Sequence, residues 1–295
     1  MSGPIWRESA RAKINLGLKI LHRRPDGFHE IKSIMQTVDL ADRLSFYPAA
    51  ANGLSVDDAQ LSAGPANLVY RAMQLFARRC PRPLPPLHIH LEKRVPYGAG
   101  LGGGSADAAA ALRGLNTLAD SPFDAAQLRQ MAAQLGSDIP FLIEGGTALA
   151  SGRGQVLQPL RWQGSVYYVL LCPPVEVSTA WAYQELGRSQ EALTGSSPFL
   201  KFTGSLYAGG GLVLAEALFS ILENDFEALV KRVKPIVAEQ LSLLAAAGAK
   251  ACSMSGTGST VYGIFDDRNT AYRAHEGFLG KGCRSFFCQP VPLPY

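Results

Sequence analysis

Pro96-Tyr97-Gly98-Ala99-Gly100-Leu101-Gly102-Gly103-Gly104-Ser105-Ala106-Asp107 is the stretch on which the reading of this chain turns. Five of the seven positions from 98 to 104 are glycine, and the alanine-rich run 108–112 follows at once, so a pliant turn feeds directly into a helix. A helix start exposes N–H groups without partners and carries a partial positive charge. Together these attract an anion, most often a nucleotide phosphate. A linker or a plain strand-to-helix turn is the alternative, but linkers are rarely joined directly to a strong helix former. Gly98-x-Gly100-x-x-Gly103 matches the dinucleotide fingerprint in letters alone. Lys93, Arg94, Val95 and Pro96 separate it from the preceding apolar run, and Asp120, the acid nearest the expected offset, sits beside Ser121 and Pro122 where no strand can be read. No Lys-Ser or Lys-Thr pair follows the glycines, which excludes a Walker A loop. A third class of glycine loop is left.

Upstream, residues 87–91 read as a strand with His88 and His90 on one face, either a metal pair or an exposed or edge-strand face; no third ligand lies nearby. Helical spacing of Leu68, Val69, Ala72, Met73, Leu75 and Phe76 predicts a helix over 66–79, stopped by the proline-rich run 80–86. Residues 10–21 alternate as a strand: Ala10, Ala12, Ile14, Leu16, Leu18 and Ile20 share one face, while Arg11, Lys13, Asn15, Gly17 and Lys19 share the other, which by itself reads as solvated. Arg23-Arg24-Pro25-Asp26-Gly27 is a turn. Phe28 and His29 follow it, placed to stack on a base and hydrogen-bond it or to fasten the turn to the core, and strands are predicted at 31–38 and 44–47.

Downstream, the helix after the glycine loop runs to about Leu118, and a second spans 125–135, with Gly136 as a left-handed terminator. Asp138, before Ile139-Pro140, reads as an N-cap. Glycine turns at 145–147 and 151–154 punctuate short strands, and 161–164 is a boundary between two domains, 1–161 and 162–295. Beyond it come a strand at 166–172, a helix at 179–186, a mobile loop at 195–211, two or three helices between 213 and 247, and a strand at 250–254. Ser255-Gly256-Thr257-Gly258-Ser259 then leads into a strand at 260–265, as a hairpin turn or as a second loop closing over phosphates. A helix at 269–279 and a strand at 284–288 complete a two-layer second domain.

Composition bounds the function. A chain of 295 residues, 47% hydrophobic and 18% charged, is an ordinary globular protein, long enough for two domains of on the order of 150 residues. The net charge of +4 is dispersed, and its densest cluster, Lys231, Arg232 and Lys234, reads as one solvated helix face, which argues against nucleic acid and suits small anionic ligands. Cys80, Cys172, Cys252, Cys283 and Cys288 are odd in number and form no Cys-x-x-Cys pair, so neither a disulfide framework nor a zinc site is expected and a reducing cytoplasm fits. The N-terminus has no apolar core of the signal-peptide kind, and no run approaches 18 apolar residues, so no membrane association is expected.

Three ordered motifs make the chain similar to the GHMP kinase superfamily: Ala10-Arg11-Ala12-Lys13-Ile14-Asn15-Leu16, the 96–107 loop, and residues 253–259. Arg24-Pro25-Asp26-Gly27-Phe28-His29-Glu30, Leu135-Gly136-Ser137-Asp138-Ile139-Pro140-Phe141 and Asn224-Asp225-Phe226-Glu227 resemble the branch that acts on a cytidine-diphosphate-linked methylerythritol, and the similarity covers essentially the whole chain. The resemblance implies a two-domain α+β fold with the substrate cleft between the domains. The N-terminal domain would be mixed α/β, of the ribosomal S5 domain 2-like kind, and the C-terminal domain ferredoxin-like. It implies ATP-dependent phosphorylation of the 2-hydroxyl of that substrate in the non-mevalonate isoprenoid route, with Mg2+, by a cytoplasmic monomer or weak homodimer that binds no nucleic acid.

Lys13 and Asp138 take the catalytic positions by this resemblance. Asp138 accepts or orients the hydroxyl proton; Lys13 holds Asp138 ionised and offsets charge on the transferred phosphoryl. Gly98, Gly100, Gly102, Gly103, Gly104 and Ser105 match the phosphate loop, and Asn67, Leu68 and Lys93 match the adenosine pocket. Asn15, Phe28, His29, Thr179 and Tyr183 match the contacts of the second substrate. Two positions depart from the pattern. Phe28 stands where the family often has Tyr, which keeps stacking and loses a hydroxyl. Gly103 and Gly104 replace the serines of many relatives, leaving the metal to phosphates, water and Ser105. A kinase for another alcohol would not need Asp26-Gly27-Phe28-His29, and a nucleotide-sensing regulator would have lost Lys13 or Asp138.

Overall fold

Two long antiparallel strands form the spine of the computed structural model, which describes residues 3–188, 197–208 and 211–293. β1 (Trp6–Arg23) and β2 (His29–Pro48) pair along most of their length. The predicted strands at 31–38 and 44–47 are therefore one. The residues between them stay extended because their polar groups find partners: Asp39 Oδ1 accepts the Gln289 N–H at 2.9 Å, and Asp42 Oδ1 accepts the Val95 N–H at 2.8 Å.

The chain continues through β3 (Gly53–Val56), α1 (Leu68–Arg79), β4 (Leu87–Glu92), α2 (Gly103–Leu118), α3 (Ala125–Ala132), α4 (Ile139–Glu144), β5 (Thr147–Ser151) and β6 (Val156–Gln163). After β7 (Tyr167–Cys172) come α5 (Thr179–Arg188), α6 (Pro198–Ala208), β8 (Leu212–Leu214) and a 3-10 turn, Ala215–Ser220. Helices α7 (Glu227–Val233) and α8 (Pro235–Ala246), strands β9 (Ala251–Met254) and β10 (Val261–Phe265), α9 (Arg268–Phe278) and β11 (Arg284–Cys288) follow. Opposite β1, β2 pairs with β4 through residues 43–48 and with β5 through residues 33–36. β4 thus lies between β2 and β3, not at an edge. His88 and His90 both meet the Ser55 hydroxyl of β3, at 2.8 and 2.9 Å. The second sheet has the order β11-β7-β10-β9, all antiparallel, which with α8 and α9 packed on it is the ferredoxin-like split βαβ.

Strand period sorts the core into layers. On β7, Tyr168, Leu170 and Cys172 join Ile14, Leu16 and Ile34 of the first sheet, whereas Val169 and Leu171 face Val237, Leu244 and Phe278 of the outer helices. Beneath the first sheet's other face, the alanines 108–111 of α2 are fully buried against Leu44, Phe46 and Ile89. β1 is covered on both faces, so Lys13 and Asn15 are buried, contrary to the solvated reading of their face.

Two further expectations are corrected. α3 stops at Ala132 rather than 135, and Gly136 is not left-handed; Ile139 packs 3.3 Å from where its Cβ would stand. Part of the loop expected at 195–211 is α6: the Ser197 hydroxyl accepts the Leu200 N–H at 3.1 Å as an N-cap, and Pro198 opens the helix. Residues 195, 196, 209 and 210 lie outside the described residues. Phe199 of α6 fills the space over Gly17 (φ 116°), where any Cβ would overlap its ring.

Candidate active site

The glycine loop reaches α2 through three left-handed residues, Gly98, Gly100 and Gly102, with φ of 65°, 77° and 67°. Gly100 has to be glycine for a second reason: a Cβ there would strike the Ser255 carbonyl and lie 3.0 Å from that of Gly258. The turn at 255–259 is the hairpin turn that the sequence allowed, and it also packs against the first glycine loop. It joins β9 to β10 as a hairpin, and it meets the first loop, with the Ser255 hydroxyl donating to the Gly100 carbonyl at 2.9 Å and the Thr260 N–H to the Ala99 carbonyl at 3.2 Å. The first N–H groups of α2 have no intrahelical acceptor and open onto the cleft beside this junction.

β1 is tied to the same loop. The Lys13 N–H donates to the Leu101 carbonyl at 2.9 Å, and the Lys13 side chain lies along Gly102, whose missing Cβ would stand 3.0 Å from Lys13 Cγ. The Lys13 ammonium donates to Asn15 Oδ1 at 2.6 Å and stands 3.2 Å from Asp138 Oδ2. Asn15 is itself fixed, its amide donating to Ser33 Oγ at 2.8 Å and its carbonyl accepting the Tyr262 hydroxyl at 2.9 Å. Asp138 precedes α4 but makes no cap hydrogen bond; its carboxylate turns to Lys13 instead. The lysine is 6% exposed and the carboxylate 32%, so the pair offers its aspartate to the cleft and keeps its cation beneath.

A cleft of about 790 Å³ runs between these groups. Lys13, Asn15, Phe28, His29, Leu68, Gly98, Gly100, Gly102, Gly103, Gly104, Ser105, Asp138, Thr179 and Tyr183 all line it. Asn67 and Lys93 do not. Asn67 caps α1 by accepting the Val69 N–H at 2.9 Å, and Lys93 is buried in ion pairs with Asp42 and Asp107.

Elsewhere in the lining, Phe28 is 50% exposed, with the Arg153 guanidinium 4.4 Å from its ring centre. His29 stacks on Tyr183 at 5.1 Å, and Tyr183 meets Phe226 edge-on at 4.8 Å. Burial, then the charge of Arg23, hold the His29 imidazole below its ordinary value, which keeps it neutral at pH 7. Burial and then the charge of Asp138 push the Tyr183 hydroxyl up to about 12. Thr179 and Thr257 hydroxyls stand 3.1 Å apart, linking α5 to the second glycine turn.

Arg153, Tyr97 and Thr257 also line the cleft and escaped the sequence reading as site residues. For Arg153 a signal existed: a cation between two glycines, both with positive φ, is a turn built to present one side chain. Arg153 makes no ion pair among the described residues. The lining combines backbone donors suited to phosphates, flat rings suited to a base and a carboxylate–ammonium pair. It suits transfer of a phosphoryl group to a hydroxyl.

Residues 67–146 match the family described as GHMP kinases N terminal domain, and residues 205–282 that described as GHMP kinases C terminal. A 4-diphosphocytidyl-2-C-methyl-D-erythritol kinase from a Synechococcus species is 43% identical over 275 residues, covering 90% of this chain and 87% of the relative. One from Syntrophotalea carbinolica is 40% identical over 289 residues, covering 96% and 98%. A crystal structure of 4-(cytidine 5'-diphospho)-2C-methyl-D-erythritol kinase superposes with a TM-score of 0.79 at 33% identity, covering 97% of this chain and 99% of that one.

Proposed function

The chain belongs to the 4-diphosphocytidyl-2-C-methyl-D-erythritol kinases of the GHMP family, and from that premise we propose how its own residues transfer the phosphoryl group of ATP to the 2-hydroxyl of the cytidine-diphosphate-linked methylerythritol, giving the 2-phosphate and ADP in the non-mevalonate route. The observation that carries the reading is the 3.2 Å approach of Lys13 to Asp138 beside the loop that opens α2. N–H groups of Gly103, Gly104 and Ser105 bind the phosphates and leave them where Lys13 can offset the charge that develops on transfer. Asp138 orients the substrate hydroxyl and accepts its proton, held in place by Lys13, which Asn15 in turn positions. Phe28 and Tyr183 supply stacking faces for cytosine, and neutral His29 hydrogen-bonds its edge. Leu68 packs against the adenosine, Asn67 caps the helix that carries Leu68, and Lys93 is buried in ion pairs beneath Gly103.

GHMP kinases use Mg2+ with ATP, and the residues present fit it. The Ser105 hydroxyl lines the cleft with no hydrogen-bond partner among the described residues, a hard oxygen donor of the kind that ion accepts in small number. Ser105 would hold it together with phosphate oxygens, and the ion would offset phosphate charge. The unpaired cysteines support a cytoplasmic setting, and no described helix is long and apolar enough to cross a membrane. We further read an ATP-binding domain to residue 161 and a second domain from 162, supported by the second sheet beginning at Tyr167, and a monomer or weak homodimer, which sedimentation velocity would check. A phosphoryl-transfer assay with MgATP and a panel of alcohols, including homoserine, mevalonate and the cytidine-diphosphate substrate, tests the whole reading. Turnover confined to the last is expected; preference for any other alcohol would defeat it.

A further inference from the structure

Beneath the nucleotide loop lies a charged cluster that phosphoryl transfer does not use. Lys93 runs inward from the end of β4 to the carboxylates of Asp42 on β2 and Asp107 on α2, and all three side chains are less than a tenth exposed. Its ammonium donates to Asp107 Oδ2 at 2.7 Å and also pairs with Asp42 Oδ2. Asp42 Oδ1 accepts the backbone N–H groups of Arg94 at 2.5 Å and Val95 at 2.8 Å, while Asp107 Oδ1 is buried with no hydrogen-bond partner. Gly103, the first residue of α2, sits directly above: a Cβ there would stand 3.5 Å from Lys93 Nζ and 3.1 Å from Val95 Cγ1.

Residues 93–95 lead into the loop and residue 107 leads out of it, so one ammonium fastens the loop's two ends together. Stability does not explain the cluster. Withdrawing these groups from water costs more than their attraction usually returns, burial pushing the Asp107 carboxyl up to about 8 despite the Lys93 charge, and apolar replacements of such clusters are often neutral or stabilising. What the cluster does supply is a fixed separation between the strand that enters the loop and the helix that leaves it, and hence the aim of the N–H groups at residues 103–105. We propose that Asp42, Lys93 and Asp107 form a clasp at the base of the nucleotide loop, in which Asp107 is a positioning residue for the triphosphate, acting through Lys93 on the loop backbone. The inference rests on the reading of that loop as the triphosphate site.

The test compares wild type, Asp107→Ala and Asp107→Asn in steady-state kinetics, with nucleotide binding measured by calorimetry and folding checked by circular dichroism. Asp107→Ala, which releases one end of the clasp, should raise the KM and Kd for ATP by roughly 10-fold to 30-fold, the size expected for one lost charge-assisted hydrogen bond. The KM of the alcohol substrate should stay within about 2-fold, because that half of the cleft does not touch the clasp. Asp107→Asn, whose amide oxygen still accepts from Lys93, should restore ATP affinity to within about 3-fold of wild type. A folded Asp107→Ala protein that binds ATP like wild type, a loss shared equally by both substrates, or an Asn variant no better than the Ala variant would each overturn the clasp. Wild type failing to bind ATP would instead overturn the reading of the loop itself.

Discussion

Asp138 holds the position from which an aspartate ordinarily caps a helix, and the shape of α4 explains why it is released from that duty. Its backbone is already helical (φ −82°, ψ −20°), which points the carboxylate away from the first N–H groups of α4 and toward Lys13. The charge is thus committed to the cleft rather than to the helix. Asp138→Asn should keep the hydrogen bond to Lys13 and leave ATP and alcohol binding within a few-fold, while kcat falls by about 10²-fold to 10⁴-fold, the usual worth of a positioned base. Rapid-quench measurement of the chemical step checks this, and an Asn variant that turns over at the wild-type rate would remove Asp138 from the chemistry. From sequence alone the residue read equally well as a cap, because Ser-Asp-Ile-Pro is ordinary capping spelling; only the lysine, 125 residues earlier, distinguishes the two uses. Lys13 and Asn15 were obscured for a related reason. Period-two alternation says which residues share a face, and it cannot say that a second layer will cover that face.

The two glycine turns behave as a single element. Each is hydrogen-bonded to the other, and Gly100 lies so close to Ser255 and Gly258 that neither turn can take its shape without its neighbour. Gly100→Ala should therefore destabilise the fold by about 2–4 kcal/mol, from the positive φ and the overlap together. Gly104→Ala, where a Cβ would touch only Leu68 Cδ1 at 3.8 Å, should leave stability within about 0.5 kcal/mol. Urea denaturation of the two variants decides between this account and one in which the turns are independent. The existence of both turns, of α2 with its alanine face and of the β7, β9, β10 and β11 strands was legible, since glycine spacing and hydrophobic period are local signals. α6 was not, although Ser197-Pro198 announces a helix start, because glycine, serine and aromatic content outweighed that one cap. Asn67 and Lys93 illustrate the opposite limit. Asn67 precedes Leu68 and Lys93 lies under Gly103, both of which line the cleft, yet the Asn67 side chain caps α1 and that of Lys93 is buried in ion pairs.

At the scale of the whole molecule, the Asn224-Asp225-Phe226-Glu227 motif is a strut between the two sheets. The Asn224 amide donates to the Met254 and Gly256 carbonyls at 2.6 and 2.9 Å, while Asp225 accepts from Lys19 at 2.5 Å and from the Ile20 N–H at 2.7 Å. Asp225→Ala strands the half-buried Lys19, which keeps only Glu223 at 3.2 Å, and should cost about 2–3 kcal/mol in urea denaturation. A loss under 1 kcal/mol would show the strut to be idle. Glu223 gives the strut a pH dependence. Burial opposes its charge, but the Ser197 hydroxyl, Lys19 and the Phe199 N–H outweigh burial and hold the carboxyl below its ordinary value. A lowered acid contributes stability above its unfolded value of about 4.3 and loses it as pH falls toward the folded one. Glu223→Gln should therefore be less stable than wild type at pH 7 and converge on it below pH 4, as followed by thermal melts; a gap that stays constant with pH would contradict this.

The pairing of β2 with residues 289–291 has a consequence for how the chain is made. The Val291 N–H reaches the Thr37 carbonyl at 2.9 Å, and the Gln289 N–H reaches Asp39 across 250 positions of sequence. A ribosome makes the middle of β2 some 250 positions before the residues that complete it, so the Thr37 carbonyl and the Asp39 carboxylate wait for their partners through the synthesis of everything between. That edge of the strand is open to chaperones for the whole interval, and one of the earliest strands of this fold is finished only after its second sheet has been made.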